Sequence, residues 1–266
     1  MEINISPIAN RHDVFIAIGR YKDNLIPDIK CCENDAELMS STLRGIPYVT
    51  GHSPKQLILT TKYNPEDCNK TKILSAIGQL VMGLNADDMV LLMISCHGFS
   101  HDGETYLIPY DAIFGEINSY ISFTWIKELL DEFNVKFKVI LIDACHSGDH
   151  KIQFKAAHGK LKFDENTRVV NQLIQESHGL AYATSCKHDQ VALIQPDGKY
   201  SIWFHSLVEA IKNENLCSKG TLLTLDTILS KSLHDTMLLA NKYWSRPQTP
   251  FCVLKIEGLI PLGLKR

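Results

Sequence analysis

Two stretches of this chain have almost no polar face: MVLLMIS at residues 89–95 and KVILIDA at residues 138–144. A strand open to water on one side alternates apolar and polar residues, so a near-continuous apolar run of this length reads as a strand covered on both faces. Such strands belong to parallel sheets, whose crossover connections lay helices over each face. The neighbouring sequence supplies those helices. Residues 34–44 read as a helix with Asn34 as its cap, Glu37 three residues on and Gly45 as its stop. Residues 71–84 place Ile73, Ile77, Leu80, Val81 and Leu84 on one stripe, and residues 122–133 align Trp125, Leu129 and Phe133. Apolar runs at 14–19 and 56–60 read as further strands. Beyond residue 171 the pattern predicts a strand at 180–184, helices at 201–212 and 224–240, and a last strand at 251–256. Strand alternating with helix predicts an α/β fold with a mostly parallel central sheet, its chemistry beyond the carboxyl ends of the strands.

Length alone, at 266 residues, leaves one large domain or two small ones open. The second half offers only two strands, so it shares the sheet of the first half, and residues 1–266 read as a single domain. Residues 149–171 break the pattern. They hold Lys151, Lys155, Lys160, Lys162 and Arg168 with few large apolar residues, and read as a long surface loop between a part at 1–148 and a part at 172–266. Lys and Arg total 27 against 30 Asp and Glu, a net charge of −3 that argues against a broad basic face for nucleic acid. No run of about 18 apolar residues is present to span a membrane. The start MEINISPIANRHD lacks the basic and apolar regions of a secretion signal, so a cytoplasmic location is expected. The 8 cysteines include no C-x-x-C pair, which removes zinc-ribbon and thioredoxin readings and leaves free thiols. No cofactor is expected.

Each apolar run leads into reactive residues, Cys96-His97-Gly98 after the first and Cys145-His146-Ser147-Gly148 after the second. His97 and Cys145 are 48 residues apart, and if their strands are neighbours both side chains emerge at one rim. A cysteine becomes a useful nucleophile when a base takes its proton and N–H donors hold the oxyanion it creates. Cys145 is the candidate nucleophile and His97 the candidate base. The N–H groups of Gly98 and Cys145 are candidate oxyanion donors, Gly98 leaves room for a substrate backbone, and Gly148 permits a sharp exit. A plain ligand-binding α/β domain would want a Gly-rich phosphate loop after the first strand, and Gly19-Arg20-Tyr21-Lys22-Asp23-Asn24 offers one glycine.

The strings Ile94-Ser95-Cys96-His97-Gly98 and Asp143-Ala144-Cys145-His146-Ser147-Gly148 resemble the caspase-like cysteine peptidases, most closely the metacaspase branch. Tyr106-Leu107-Ile108-Pro109-Tyr110-Asp111, Cys32-Glu33-Asn34-Asp35-Ala36, Ala183-Thr184-Ser185-Cys186 and Gln248-Thr249-Pro250 are similar to further family strings, so the resemblance covers residues 13–256. It implies a caspase-like three-layer sandwich and an endopeptidase that forms a thioester on Cys145 with His97 as base. It also implies a pocket lined by Asp35 and Asp143, with Ser95 as a further substrate contact. Two carboxylates there would select protein or peptide substrates with Arg or Lys before the cleaved bond; animal caspases, with Gln-Ala-Cys-x-Gly, have a basic pocket for Asp. Asp35 has a competing reading as a first-turn helix acid, and Asp143 as a cap for the turn after its strand.

The chain departs from the family twice. Cys96 replaces a glycine, and reads as a hindrance to access, a partner for oxidation with Cys145, or a tolerated small residue. Where calcium-activated members place an acidic pair this chain has Tyr120-Ile121-Ser122-Phe123, leaving Asp111 and Asp149 as isolated oxygen donors, so calcium activation has little support. A peptidase with basic preference would find sites in its own 149–171 loop, which predicts self-processing. The resemblance further suggests a role in microbial cell death or defence, with an activating partner or small-molecule trigger. The competing reading is a non-catalytic caspase-like scaffold or regulatory module.

Overall fold

A computed structural model describes residues 10–47, 54–101, 104–132, 135, 137–146, 179–187, 190–213, 215–216, 222–255 and 259–264. The central sheet runs β2 (Lys55–Thr60), β1 (Arg11–Ala17), β3 (Met89–His101), β6 (Phe137–His146), β7 (Leu180–Thr184), β9 (Phe251–Lys255). All these neighbours are parallel except β7 and β9, which pair antiparallel. β4 (Glu104–Leu107) lies antiparallel on the far end of β3, and β5 (Ile121–Ser122) on β4. β8 (Leu222–Thr224) and β10 (Pro261–Leu264) form a separate antiparallel pair.

Strand side chains alternate between faces, and the two cores follow that parity. Met89, Leu91, Met93, Val139 and Leu141 pack with α1 (Cys31–Arg44), α4 (Ile202–Lys212) and α5 (Leu225–Trp244). Val90, Leu92, Ile94, Cys96, Ile140 and Ile142 pack with α2 (Lys70–Met82) and α3 (Phe123–Asp131). Helices on both faces of a mostly parallel sheet make the expected three-layer sandwich. A buried ion pair pins the start of β1: Arg11 bonds Asp13 at 2.8 Å while also donating to the carbonyls of Leu43 and Leu262, tying β1 to α1 and β10.

Several boundaries differ from the expectation, each for a local reason. β3 runs on through the candidate base to His101, because β4 pairs with it from Gly98 onward. α1 begins at Cys31 rather than after Asn34; Asn34 lies inside the helix and its side-chain amide donates to the carbonyl of Lys199 at 2.9 Å. Glu37 binds Lys62 at 2.6 Å instead of closing a capping box. α2 takes its cap from Asn69, whose side chain accepts from the Lys72 N–H at 2.8 Å. α5 continues to Trp244 and stops where Ser245 turns left-handed, φ 50°. Gly148, Asp149 and the 149–171 loop lie outside the described residues. Among those described, no helix is long and apolar enough to cross a membrane.

Candidate active site

The β3–β6 ladder puts Ser95 opposite Asp143 and His97 opposite Cys145. Neighbouring strands lie about 4.8 Å apart, so the backbone of Cys145 stands directly beside that of His97. Ser95, His97 and Asp143 share the parity of Met93 and Leu141, the face toward α1 and α4. Cys96 has the opposite parity. It is 1% exposed, packed among Ile94, Leu107 and Ile108, and burial pushes its thiol up to about 12. Cys96 is therefore a small filler of the opposite core, on the face away from His97. Gly98 has a packing reason of its own: a Cβ there would meet the Ala144 Cβ at 2.9 Å.

His97 is 5% exposed and held on three sides. Its Nε2 lies 2.8 Å from the carbonyl oxygen of Pro27. A carbonyl can only accept, so Nε2 carries the proton and Nδ1 keeps the lone pair. Nδ1 is buried and, among the described residues, has no hydrogen-bond partner. The Tyr21 ring stacks on the imidazole, centroids 5.1 Å apart, and the Tyr21 hydroxyl accepts the backbone N–H of His97 at 2.9 Å. Burial lowers the imidazole pKa, and the Pro27 carbonyl and the Asp28 carboxylate only partly oppose it. A neutral ring with a free lone pair suits a base that must take a thiol proton at neutral pH.

Pro27 and Tyr21 were not legible as site residues. Pro27 acts through its backbone, which leaves no side-chain signature. Tyr21 lies in the segment weighed only as a phosphate loop. That segment is a built cover. The Ile29 N–H closes it onto the Gly19 carbonyl at 2.9 Å, and the Tyr21 N–H donates to Asp28 at 3.3 Å. Its start is anchored where the Gly19 N–H donates to the Thr61 hydroxyl at 2.9 Å, which donates on to the buried Glu33 at 2.7 Å. A Cβ at Gly19 would meet the Glu33 Cγ at 2.8 Å, so the close approach requires glycine.

The two predicted pocket carboxylates meet on the same face. Asp35 is 1% exposed and Asp143 4%. Both oxygens of Asp35 accept from the Ser201 N–H, at 3.1 and 3.3 Å, just where Ser201 caps α4. Its carboxylate thus serves the start of α4, not the first turn of α1. Burial raises the Asp35 pKa well above the usual carboxylate range, and the nearby Cys31 thiol and Asp143 carboxylate add to the rise. Burial likewise raises Asp143, while the Ser185 and Ser201 hydroxyls pull it down. Asp143 Oδ1 has no hydrogen-bond partner among the described residues. The Ser95 hydroxyl faces the Cys32 thiol, which neighbouring Cys31 and burial push far up. Ser201 and Ser185 were not singled out as pocket residues; nothing in their local sequence marks the approach of α1 and β6.

Asp111 accepts from the Lys70 N–H at 2.8 Å and secures the first turn of α2. Among the described residues no group of three or more His, Cys, Asp or Glu is placed to hold a metal ion.

Helices sandwiching a parallel sheet, with a histidine and a cysteine on register at its central strands, define the caspase type of cysteine peptidase fold. The sequence profile of the caspase domain, peptidase family C14, matches residues 11–252, and the chain belongs to that family. Its structure is similar to caspase-1 from Spodoptera frugiperda, at 14% identity and a TM-score of 0.67, over 99% of this chain and 94% of that one. It is also similar to pro-sf-caspase-1, at 11% identity and a TM-score of 0.65, with the same shares covered. No curated protein sequence matches the chain.

Proposed function

We propose that this caspase-family chain is a cytoplasmic, metacaspase-like endopeptidase that cleaves after Arg or Lys. The observation that supports the basic preference most directly is the pair Asp35 and Asp143. They reach one site from α1 and β6, they are both buried, and the hydrogen-bonding groups described around them belong to serines. Buried carboxylates without a cation resist ionising; a guanidinium or ammonium from a substrate would draw their protons off and pair with both. Ser95, opposite Asp143 in the ladder, would contact the same side chain.

In the proposed reaction His97 Nδ1 takes the thiol proton of Cys145, and the thiolate attacks the carbonyl carbon after the basic residue. The N–H groups of Cys145 and Gly98 are the proposed oxyanion donors; both face the β3–β6 ladder, so its last rungs would open as the substrate binds. The imidazolium returns the proton to the leaving amine as the C–N bond breaks, leaving a thioester. Water, deprotonated by His97, then hydrolyses the thioester and restores the thiol. Lys151, Lys155, Lys160, Lys162 and Arg168 are the proposed self-processing sites. The trigger is proposed to be a partner protein or small molecule rather than calcium, and the setting to be microbial cell death or defence.

The test is a panel of fluorogenic peptides with Arg, Lys, Asp or Leu before the bond, run with the wild type and Cys145→Ala. Turnover of the Arg and Lys peptides, lost in the variant, is the expected result. Cleavage of Asp peptides alone overturns the pocket reading. No turnover, together with no labelling of Cys145 by a cysteine-reactive peptide probe on folded protein, supports a non-catalytic scaffold.

A further inference from the structure

The β1–β3 ladder changes character one residue before the candidate base ends it. The two strands pair in parallel from Arg11 opposite Met89 to Ala17 opposite Ser95, and the Ile18 N–H donates to the Ser95 carbonyl at 2.9 Å. In a regular parallel ladder the next bond runs from the His97 N–H to the Ile18 carbonyl. Here a side chain occupies that rung. The His97 N–H donates to the Tyr21 hydroxyl at 2.9 Å, and the Tyr21 hydroxyl donates to the Ile18 carbonyl at 3.2 Å. A hydroxyl bridging two bonds holds β3 farther from β1 at His97 than a direct bond of about 2.9 Å would. The same phenol lays its ring against the imidazole at an interplanar angle of 30°.

We propose that Tyr21 is a positioning residue for His97, acting through this inserted rung and through the ring that covers the imidazole. The proposal rests on the dyad reading given above. The hydroxyl fixes where the His97 backbone sits, and hence whether Nε2 meets the Pro27 carbonyl. The ring fixes the plane of the imidazole and keeps water from it. The groups acting on the imidazole are the Asp28 carboxylate and Pro27 carbonyl of the covering loop. Cys145 stands opposite on β6, with Asp143 two residues back on that strand. Asp28 also binds the Tyr21 N–H, so the covering loop and the base are braced together.

The experiment uses Tyr21→Phe and Tyr21→Ala, with melting curves to establish that each is folded. Two readouts are taken on each: kcat/KM against pH with an Arg peptide, and the titration of the His97 ring by NMR. Tyr21→Phe removes the rung and keeps the cover. It is expected to lose about tenfold or more in kcat, with little change in KM and with the ring still titrating below 6.5. Tyr21→Ala removes both, so the imidazole is expected to titrate closer to 6.5 and the acid limb of activity to move up with it. A folded Tyr21→Phe with wild-type kcat, or a folded Tyr21→Ala with the His97 titration unmoved, overturns the proposal. Should Tyr21→Ala not fold, Tyr21→Phe decides alone. If the wild type cleaves no peptide the dyad reading fails by itself, and the NMR titration still judges Tyr21.

Discussion

Nε2 of His97 and the carbonyl oxygen of Pro27 are 2.8 Å apart, and this contact assigns the ring proton. The nitrogen left to accept a proton is Nδ1, and burial keeps the whole ring neutral to lower pH than usual. The protonation of the imidazole is thus set by burial, which lowers its pKa, against the Pro27 carbonyl and the Asp28 carboxylate, which raise it.

The pH dependence of activity follows from that arrangement. In the proposed mechanism the neutral imidazole is the active form, so kcat/KM should fall with acidification, and because the pKa is lowered the fall should centre below 6.5. A pH–rate profile measures it directly. His97→Ala should lose about 10² to 10⁴ in kcat. An acid limb centred above 6.5 would contradict the buried, neutral base.

Asp143→Asn separates function from stability. A carboxyl whose pKa is raised on folding keeps a proton that the unfolded chain releases. Its contribution is therefore favourable only below the unfolded value and turns unfavourable as pH rises past it. At neutral pH the buried carboxyl opposes folding, and the amide should raise Tm by about 2–4 °C per kcal/mol relieved. The gain should shrink near pH 4. Cleavage after Arg should drop by about tenfold or more through KM. Equal melting temperatures at neutral pH, or undiminished Arg cleavage, would remove the pocket role.

Gly98→Ala tests the packing between β3 and β6. The added methyl meets the Ala144 Cβ at 2.9 Å, so the strands must shift beside His97 and Cys145. Unfolding in urea should show a loss of about 1–3 kcal/mol. Adding Ala144→Gly should recover stability and activity together. Lost activity with stability fully restored in the double variant would point instead to space for the substrate backbone.

Cys96 should be inert in the native protein. With its thiol pushed up to about 12 and its side chain in the α2–α3 core, iodoacetamide at pH 8 should leave it unmodified until denaturant is added. Cys96→Ala should keep peptidase activity and cost about 1 kcal/mol of stability. Mass spectrometry of labelled peptides reads the first, and a urea melt the second.

The fold was legible because its strongest signal is long-range burial: residues 89–95 and 138–144 read as strands covered on both faces. The ends of those runs placed His97 and Cys145 at one rim on condition that the strands are neighbours, and the β3–β6 register meets that condition. What stayed hidden lacked either length or side chains. β5 has 2 residues and β8 has 3, too few for any period to show. The extension of β3 past Gly98 depends on β4, which becomes visible only when the chain folds back. The Pro27 contact is made by a backbone oxygen. Ser201 meets Asp35 across 166 residues, and its own neighbourhood reads as an ordinary helix start.

β6 ends at His146 and β7 begins at Leu180, yet the two lie side by side from Lys138 opposite Leu180 to Ile142 opposite Thr184. Asp35, His97, Asp143 and Cys145 come before that crossing; Ser185 and Ser201 come after it. Scission of the intervening peptide would thus release nothing. It would leave a noncovalent heterodimer of two fragments sharing one sheet, each carrying only part of the proposed pocket. On the proposed preference, separately made halves would have to reassemble across the β6–β7 seam before either could recognise a basic residue.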